Sequence, residues 1–278
     1  MALIQGKPAA RTLSALCVSL ALLAAPAAQA AGDESYWQTV QKNGVLRCGA
    51  AVAPPYVMRD PASGEYAGFF ADLCREFADA LKVKPQFVNT NWDNIVAGLQ
   101  AGKWDLALAL NRTPVRAMAV QFSIPAMEYQ VSLVYNQNNR KIGGRMKSVA
   151  DLDRPDITFA VMSGTVGDKL ISAAVQRASI MRLPGSDEAR LAVASKRADV
   201  LVDASDSNLL FSQAHPDWAV TLNPEPALAK QGVGFGLSRN MPAADVAVVD
   251  IFLEEKIATG HVDQLIHKSV DQVLGGMQ

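Results

Sequence analysis

Residues 92–110 read WDNIVAGLQAGKWDLALAL. The part from 94 to 100 is typical of a short helix, which ends at Gly102. The run from 104 to 110 is almost continuously apolar, as expected of a strand that is covered on both faces. A short helix followed by such a strand indicates a largely parallel sheet with helices packed against it.

Segments on both sides of this stretch continue the alternation of strands and helices. Before it, 45–49 predicts a strand, 69–81 an amphipathic helix and 83–88 another strand. After it the alternation starts again, with strands predicted at 131–135, 157–162, 180–183, 200–202 and 232–237 and helices at 148–152, 168–177, 186–195, 243–258 and 262–273. Two such series in about 250 residues predict an α/β protein with two lobes and a cleft between them.

The composition excludes several classes of protein. The 278 residues carry 26 Lys and Arg against 27 Asp and Glu, so the chain lacks the basic excess of a nucleic-acid-binding protein. Half of the residues are apolar and 19% are charged, which argues against disorder. None of the three histidines has metal-ligand spacing to a cysteine, so we expect no metal site and no cofactor.

The N-terminal 30 residues have the order of a secretory signal peptide. Lys7 and Arg11 precede an apolar run at 13–26, and Ala28-Gln29-Ala30 forms a small-residue cleavage signal. A membrane anchor is the weaker alternative, because the run is short and ends in small residues. Cleavage after Ala30 predicts an exported, periplasmic protein.

Export places Cys48 and Cys74 in an oxidising compartment, where one disulfide is possible. Cys48 lies in a predicted strand and Cys74 on the apolar face of a predicted helix. Two buried thiols that fill a strand–helix interface are the alternative, and the sequence favours it, because buried free cysteines are common.

Nine short strings resemble the periplasmic amino-acid-binding proteins of ABC importers, in the same order along 36–273. They are GVLRCG at 44–49, PPY at 54–56, YAGFFADL at 66–73, WDNIVAGLQAGKWDL at 92–106, RTPVR at 112–116, FSIP at 122–125, SVADL at 148–152, VMSGT at 161–165 and ADVLVD at 198–203. Each string alone is weak evidence, but together they identify the chain as a member of this group.

The resemblance implies the two-lobe fold of type II periplasmic-binding proteins, with two mixed sheets flanked by helices and joined by two crossing strands. Lobe I would comprise 36–134 and 231–278, and lobe II 135–230. It also implies a monomer that captures a small carboxylate-bearing solute, an amino acid or a related organic acid, and delivers it to a membrane ABC permease.

The resemblance also assigns ligand-binding residues in lobe I. Arg116 matches the arginine that clamps the ligand carboxylate, a task that suits the planar guanidinium. Tyr56 and Trp92 match aromatic rings that sandwich the ligand. Asn111 ends the apolar strand where related proteins often carry Ser or Thr, and its amide would replace their hydroxyl group.

In lobe II, Gly164 and Thr165 resemble a turn that offers a backbone N–H and a hydroxyl group to the carboxylate. Asp203 matches the carboxylate that pairs with the α-ammonium group, and Asp206 is its rival for that role.

Two departures from the family pattern concern the ligand. Ala51 lies in a loop where relatives usually have an acidic residue, and Arg112 stands where an uncharged residue is usual. We therefore expect a ligand with an extra carboxylate, or one that lacks a conventional α-amino group. In the alternative, Arg112 points to solvent and Glu128 or Asp206 replaces the missing acid.

Two other functions compete with solute binding. A secreted lyase or dehydratase on the same scaffold needs a general acid or base in the cleft. Glu128 is the only acidic residue between Asn111 and Asp151, and no histidine precedes His215, so we expect no enzyme. A sensory domain would act only as the soluble partner of a membrane protein.

Overall fold

The computed structural model describes residues 2–3, 35–143 and 146–275. By its internal contacts the chain divides into 1–33 and 34–278, and every element below belongs to the second unit. The predicted signal peptide, residues 1–30, lies outside the described residues apart from Ala2 and Leu3. No helix in the described ranges is long and apolar enough to cross a membrane.

The described chain alternates strands with helices. The strands are β1 (Val45–Ala51), β2 (Met58–Arg59), β3 (Tyr66–Ala67), β4 (Lys84–Thr90), β5 (Leu106–Asn111), β6 (Gln121–Phe122), β7 (Met127–Asn136), β8 (Thr158–Met162), β9 (Ser179–Leu183), β10 (Val200–Ala204), β11 (Ala219–Leu222) and β12 (Lys230–Leu237). The helices are α1 (Tyr36–Asn43), α2 (Phe69–Ala80), α3 (Ile95–Gln100), α4 (Pro114–Ala117), α5 (Val166–Ala174), α6 (Ser186–Ala194), α7 (Ser205–Ala214), α8 (Ala243–Ala258) and α9 (His261–Gly275).

Two long strands join the sheets of the two lobes. In the first lobe, β4, β1 and β5 run parallel and β12 is antiparallel to β5; in the second, β10, β8 and β9 run parallel and β7 is antiparallel to β10. Because β7 also pairs with β12, ten of the described strands form one mixed sheet in the order β4-β1-β5-β12-β7-β10-β8-β9, with β6 and β11 on its edges. β2 and β3 form a separate hairpin.

The crossing region shows where the chain passes between the lobes. β7 pairs with β12 through Met127–Gln130 and with β10 from Val131 onward, so its partner changes after Gln130. The assignment of 36–134 and 231–278 to lobe I and of 135–230 to lobe II stays a prediction.

The first lobe is built around the stretch that opened the sequence analysis. All six residues of β5 are buried, as the apolar run predicts. Trp104, just before this strand, is 3% exposed and fills the space between β1 and α3. A Cβ atom at Gly49 would lie 2.6 Å from its ring, and one at Gly98 would overlap the ring. Glycine at both positions therefore allows the helix, the indole and the strand to lie in contact.

Cys48 and Cys74 form a disulfide, with their sulfur atoms 2.08 Å apart, so the expectation of two free thiols was wrong. Both residues are fully buried, which the sequence did predict. The helix α2 packs on β1 through its apolar face, and this packing brings the two sulfur atoms within bonding distance.

Several elements were not predicted. The helices α1, α4 and α7 and the short strands β2, β3, β6 and β11 have no counterpart in the sequence-based assignment. The segment 148–152 forms a 3₁₀ turn at Ala150–Leu152 rather than a full helix. The helix α5 begins at Val166, before the predicted start at 168, because the Thr165 side chain caps it.

Candidate functional site

A cavity lies between the lobes, at the carboxyl ends of the parallel strands, where open α/β sheets bind ligands. The volume open to the centre of a water molecule is about 30 Å³, room for roughly two waters, so the cavity is nearly filled by its own walls while the lobes are together. Its lining residues come from both lobes and are mostly small, apolar or aromatic: Ala53, Tyr56, Trp92, Ala109, Asn111, Tyr129, Met162, Thr165, Asp203, Ala204 and Val233.

A bulge near the end of β5 shapes the cavity floor. Gly234 pairs with Leu110 and Gly236 with Ala107, so two residues of β5 lie opposite one residue of β12. Ala109, inside the bulge, has φ +54°, a left-handed conformation that is uncommon for alanine. Asn111 follows at the strand end, where it lines the cavity and its buried Nδ2 atom has no hydrogen-bond partner among the described groups. That amide is therefore free to donate to a ligand.

Arg116 is a buried cation beside the cavity. The N–H of Arg116 donates to Oγ1 of Thr113, which caps the short helix α4 (3.2 Å). Its side chain makes one long hydrogen bond, from Nη1 to the carbonyl oxygen of Asn111 (3.4 Å). Burial lowers the pKa of Arg116 to about 10, so the group stays charged at neutral pH. Arg116 lines a side pocket with Gly164 and Lys169, and this pocket shares Trp92 with the main cavity.

Three aromatic side chains wall the cavity. Trp92 is 9% exposed and its Nε1 donates to the carbonyl oxygen of Val52 (3.4 Å). The Tyr56 hydroxyl donates to Oδ2 of Asp206 across the cleft (3.3 Å). Tyr129, on the crossing strand β7, was not among the predicted site residues. Burial raises the pKa of both tyrosines well above the ordinary value, so both stay protonated at neutral pH.

The second lobe contributes a turn and a carboxylate. Thr165 lines the cavity, but its hydroxyl donates to the carbonyl oxygen of Met162 (2.8 Å) and accepts from the N–H of Asp168 (3.1 Å). Gly164 lies in the neighbouring side pocket, and its N–H donates to Oδ2 of Asp168 (3.2 Å). The hydroxyl and the N–H expected to bind the ligand thus already have partners within the protein.

Asp203, rather than Asp206, lines the cavity. Its Oδ1 accepts the N–H of Ala204 (2.8 Å), and its Oδ2 accepts from Nη2 of Arg190 (3.4 Å). Burial raises the pKa of Asp203, while the Arg190 guanidinium and the Ala204 N–H act in the opposite direction. Arg190, on α6, was missed because its sequence position suggests only an exposed helix residue.

Polar contacts across the cleft show that the lobes are together in this structure. The Ser163 hydroxyl donates to Oδ2 of Asp93 (3.2 Å), and the Ser207 hydroxyl donates to the carbonyl oxygen of Pro54 (2.6 Å). Gly164 faces Asp93 so closely that a Cβ atom would overlap its carboxylate.

Two predicted participants lie away from the cavity. Arg112 is exposed and is not part of the lining. Glu128 is exposed and pairs with Lys230 (3.2 Å). Of the predicted ligand-binding residues, the structure thus brings Tyr56, Trp92, Asn111, Thr165 and Asp203 to the cavity wall, Arg116 and Gly164 to the adjoining pocket, and Arg112 to the surface. Arg112 therefore does not supply the second cation on which the expectation of an extra ligand carboxylate rested.

Comparison with known proteins places this site in context. A solved structure of an ancestral amino-acid-binding protein, a precursor of cyclohexadienyl dehydratase, superposes with a TM-score of 0.76 at 29% identity and covers 85% of this chain and 100% of its own. Cyclohexadienyl dehydratase of Pseudomonas aeruginosa is 26% identical over 212 residues, covering 74% of this chain and 76% of its own. The L-arginine-binding protein of the same organism is 25% identical over 203 residues, covering 68% and 73%.

The architecture of two lobes and crossing strands is that of the type II periplasmic-binding proteins, as predicted. The family model of the bacterial extracellular solute-binding proteins, family 3, matches residues 46–272, and the chain belongs to that family.

Proposed function

We propose that this protein captures an amino acid between its lobes in the periplasm and presents it, as a monomer, to a membrane ABC permease. The buried guanidinium of Arg116 carries the proposal. No carboxylate in the described ranges pairs with it, and one long bond to a carbonyl oxygen does not offset the loss of water. An unpaired buried cation beside the free amide of Asn111 favours a ligand carboxylate.

The rest of the cavity supports a ligand with an uncharged side chain. Asp203 is the one charged residue in the lining among the described residues, and it is suited to accept an α-ammonium group. The remaining walls offer methyl, thioether and aromatic surface, which would favour an apolar side chain and disfavour a second carboxylate.

A thermal-shift screen of the common amino acids and small dicarboxylates against the mature protein tests the proposal. We expect a concentration-dependent rise in Tm with apolar amino acids, because a ligand that binds the folded state alone stabilises it. Arg116→Ala should abolish the shift, whereas Arg112→Ala, four positions away on the surface, should leave it intact. A shift that survives Arg116→Ala, or one that Arg112→Ala removes, contradicts the assignment.

A dehydratase activity is the second candidate. The likeness to cyclohexadienyl dehydratase favours it, and so does Asp203, a cavity carboxyl group whose raised pKa suits a general acid. One-dimensional NMR of a cyclohexadienyl substrate incubated with the protein separates the two functions. A binding protein returns the compound unchanged, whereas an enzyme converts it and loses that conversion with Asp203→Asn.

A further inference from the structure

Arg190 forms an ion pair with the cavity carboxylate of Asp203. It lies on α6, is not part of the cavity lining, and its side chain is 11% exposed. Its Nη2 lies 3.4 Å from Oδ2 of Asp203 and its Nη1 lies 3.2 Å from Oδ1 of Asp187, which is 87% exposed. The guanidinium therefore joins an inner and an outer carboxylate.

Apart from the Ala204 N–H, which donates to Oδ1, the other groups around Asp203 do not favour its charged form. Tyr56 and Tyr129 interact with it as neutral groups, and Asp187 adds negative charge. No ion pair with another cation is formed by Asp203 in the described part of the chain. A carboxylate in such surroundings tends to take up a proton, and a protonated carboxyl group binds an ammonium group poorly.

We propose that Arg190 is a positioning residue that holds Asp203 in the ionised state and thereby makes the cavity selective for ligands with an α-ammonium group. The selectivity for the ammonium group rests on the proposed function; the effect of Arg190 on Asp203 does not. The buried Nε of Arg190 has no hydrogen-bond partner among the described groups, so its position is set by the two carboxylates.

A measurement without ligand tests the effect on Asp203. Thermal unfolding is followed from about pH 4 to about pH 8 for the wild type, Arg190→Met, Arg190→Lys and the matched control Asp187→Asn. With Arg190→Met the folded-state pKa of Asp203 rises further above its unfolded value. The stability of this variant relative to the wild type then falls as pH rises. Its Tm should therefore lie below that of the wild type by a deficit that grows to about 5 °C at about pH 8.

The comparison variants decide the origin of this deficit. Arg190→Lys should restore most of the wild-type profile, Asp187→Asn should show no growing deficit, and adding Asp203→Asn to Arg190→Met should make the deficit independent of pH. A deficit of equal size at every pH indicates a merely structural role for Arg190 and overturns the proposal.

Ligand selectivity is tested with L-leucine and its α-hydroxy acid by calorimetry at neutral pH. Arg190→Met should weaken leucine binding by about tenfold or more and leave the hydroxy acid nearly unaffected. Equal weakening of both ligands overturns the selectivity. If the wild type binds neither compound, the proposed function fails for this ligand, and the unfolding series still decides the role of Arg190.

Discussion

Replacing Gly164 by alanine is expected to weaken ligand binding more than it lowers the stability of the ligand-free protein. Gly164 has φ +74°, a left-handed conformation that costs alanine about 1 kcal/mol more than glycine. This cost is the same whether the lobes are together or apart, so it lowers the free energy of unfolding without favouring either arrangement.

The added methyl group also meets Asp93 of the first lobe. A Cβ atom would overlap Oδ1 of Asp93 and lie 2.8 Å from its backbone nitrogen. The carboxylate can rotate away, but the backbone nitrogen cannot, so the lobes must separate at this point. Overpacking of this kind costs roughly 1–3 kcal/mol, which corresponds to a loss of about 5- to 150-fold in affinity for a ligand that requires closed lobes.

Calorimetry with the ligand found by the screen measures this loss, and Gly102→Ala is the matched control. Gly102 has φ +65°, but a Cβ atom there would have no other atom within 4 Å. The two variants should therefore lose similar stability, and the difference in their affinities isolates the contact with Asp93. Equal affinities for the two variants would refute the idea that the lobes close through this contact.

Three further predictions concern the cleft and the disulfide. Arg116→Met should abolish ligand binding and yet stabilise the ligand-free protein. Burial depresses the pKa of the guanidinium, and removing this buried charge should raise the free energy of unfolding by up to about 3 kcal/mol. Denaturant unfolding measures this change, and a loss of stability contradicts the prediction. Replacing Cys48 and Cys74 by alanine should lower the free energy of unfolding by about 3 kcal/mol, as expected for a cross-link between residues 26 apart. The affinity for the ligand should change little. An unchanged unfolding midpoint would count against this prediction. Burial raises the pKa of Asp206, and the hydrogen bond from the Tyr56 hydroxyl lowers it; Tyr56→Phe removes that bond, so the folded-state pKa of Asp206 should rise. The Tm of the variant should therefore fall further below that of the wild type as pH increases from about 4 to 7. Parallel pH profiles for the two proteins would contradict this.

Long apolar runs were the most predictable part of the fold. The strand after Trp104 and the helices at 69–81 and 243–258 carry their periodicity in consecutive residues, so a single sequence suffices to place them. The helix α7 was missed because SDSNLLFSQA follows a strand directly and has no marked apolar stripe. Its position depends on tertiary contacts with β7 and β11.

Some residues of the candidate site could be predicted from the sequence, and others could not. Family-like strings brought attention to Tyr56, Trp92 and Arg116, which the structure places in or beside the cleft. The same string contains Arg112, and only the geometry of the turn into α4 separates the buried arginine from the exposed one. Arg190 is invisible to any local pattern, because its contact with Asp203 joins a helix to a strand thirteen positions away.

The disulfide between β1 and α2 should make the first lobe more resistant to local unfolding than the second. It ties a strand to a helix within the first lobe, and the second lobe holds no such bond in the part of the chain described here. Amide hydrogens of the second lobe should therefore exchange with solvent first, and proteases should cut there first. Because both sulfur atoms are buried, a reductant reaches the bond only in unfolded molecules, so protein refolded under reducing conditions should lose this difference between the lobes.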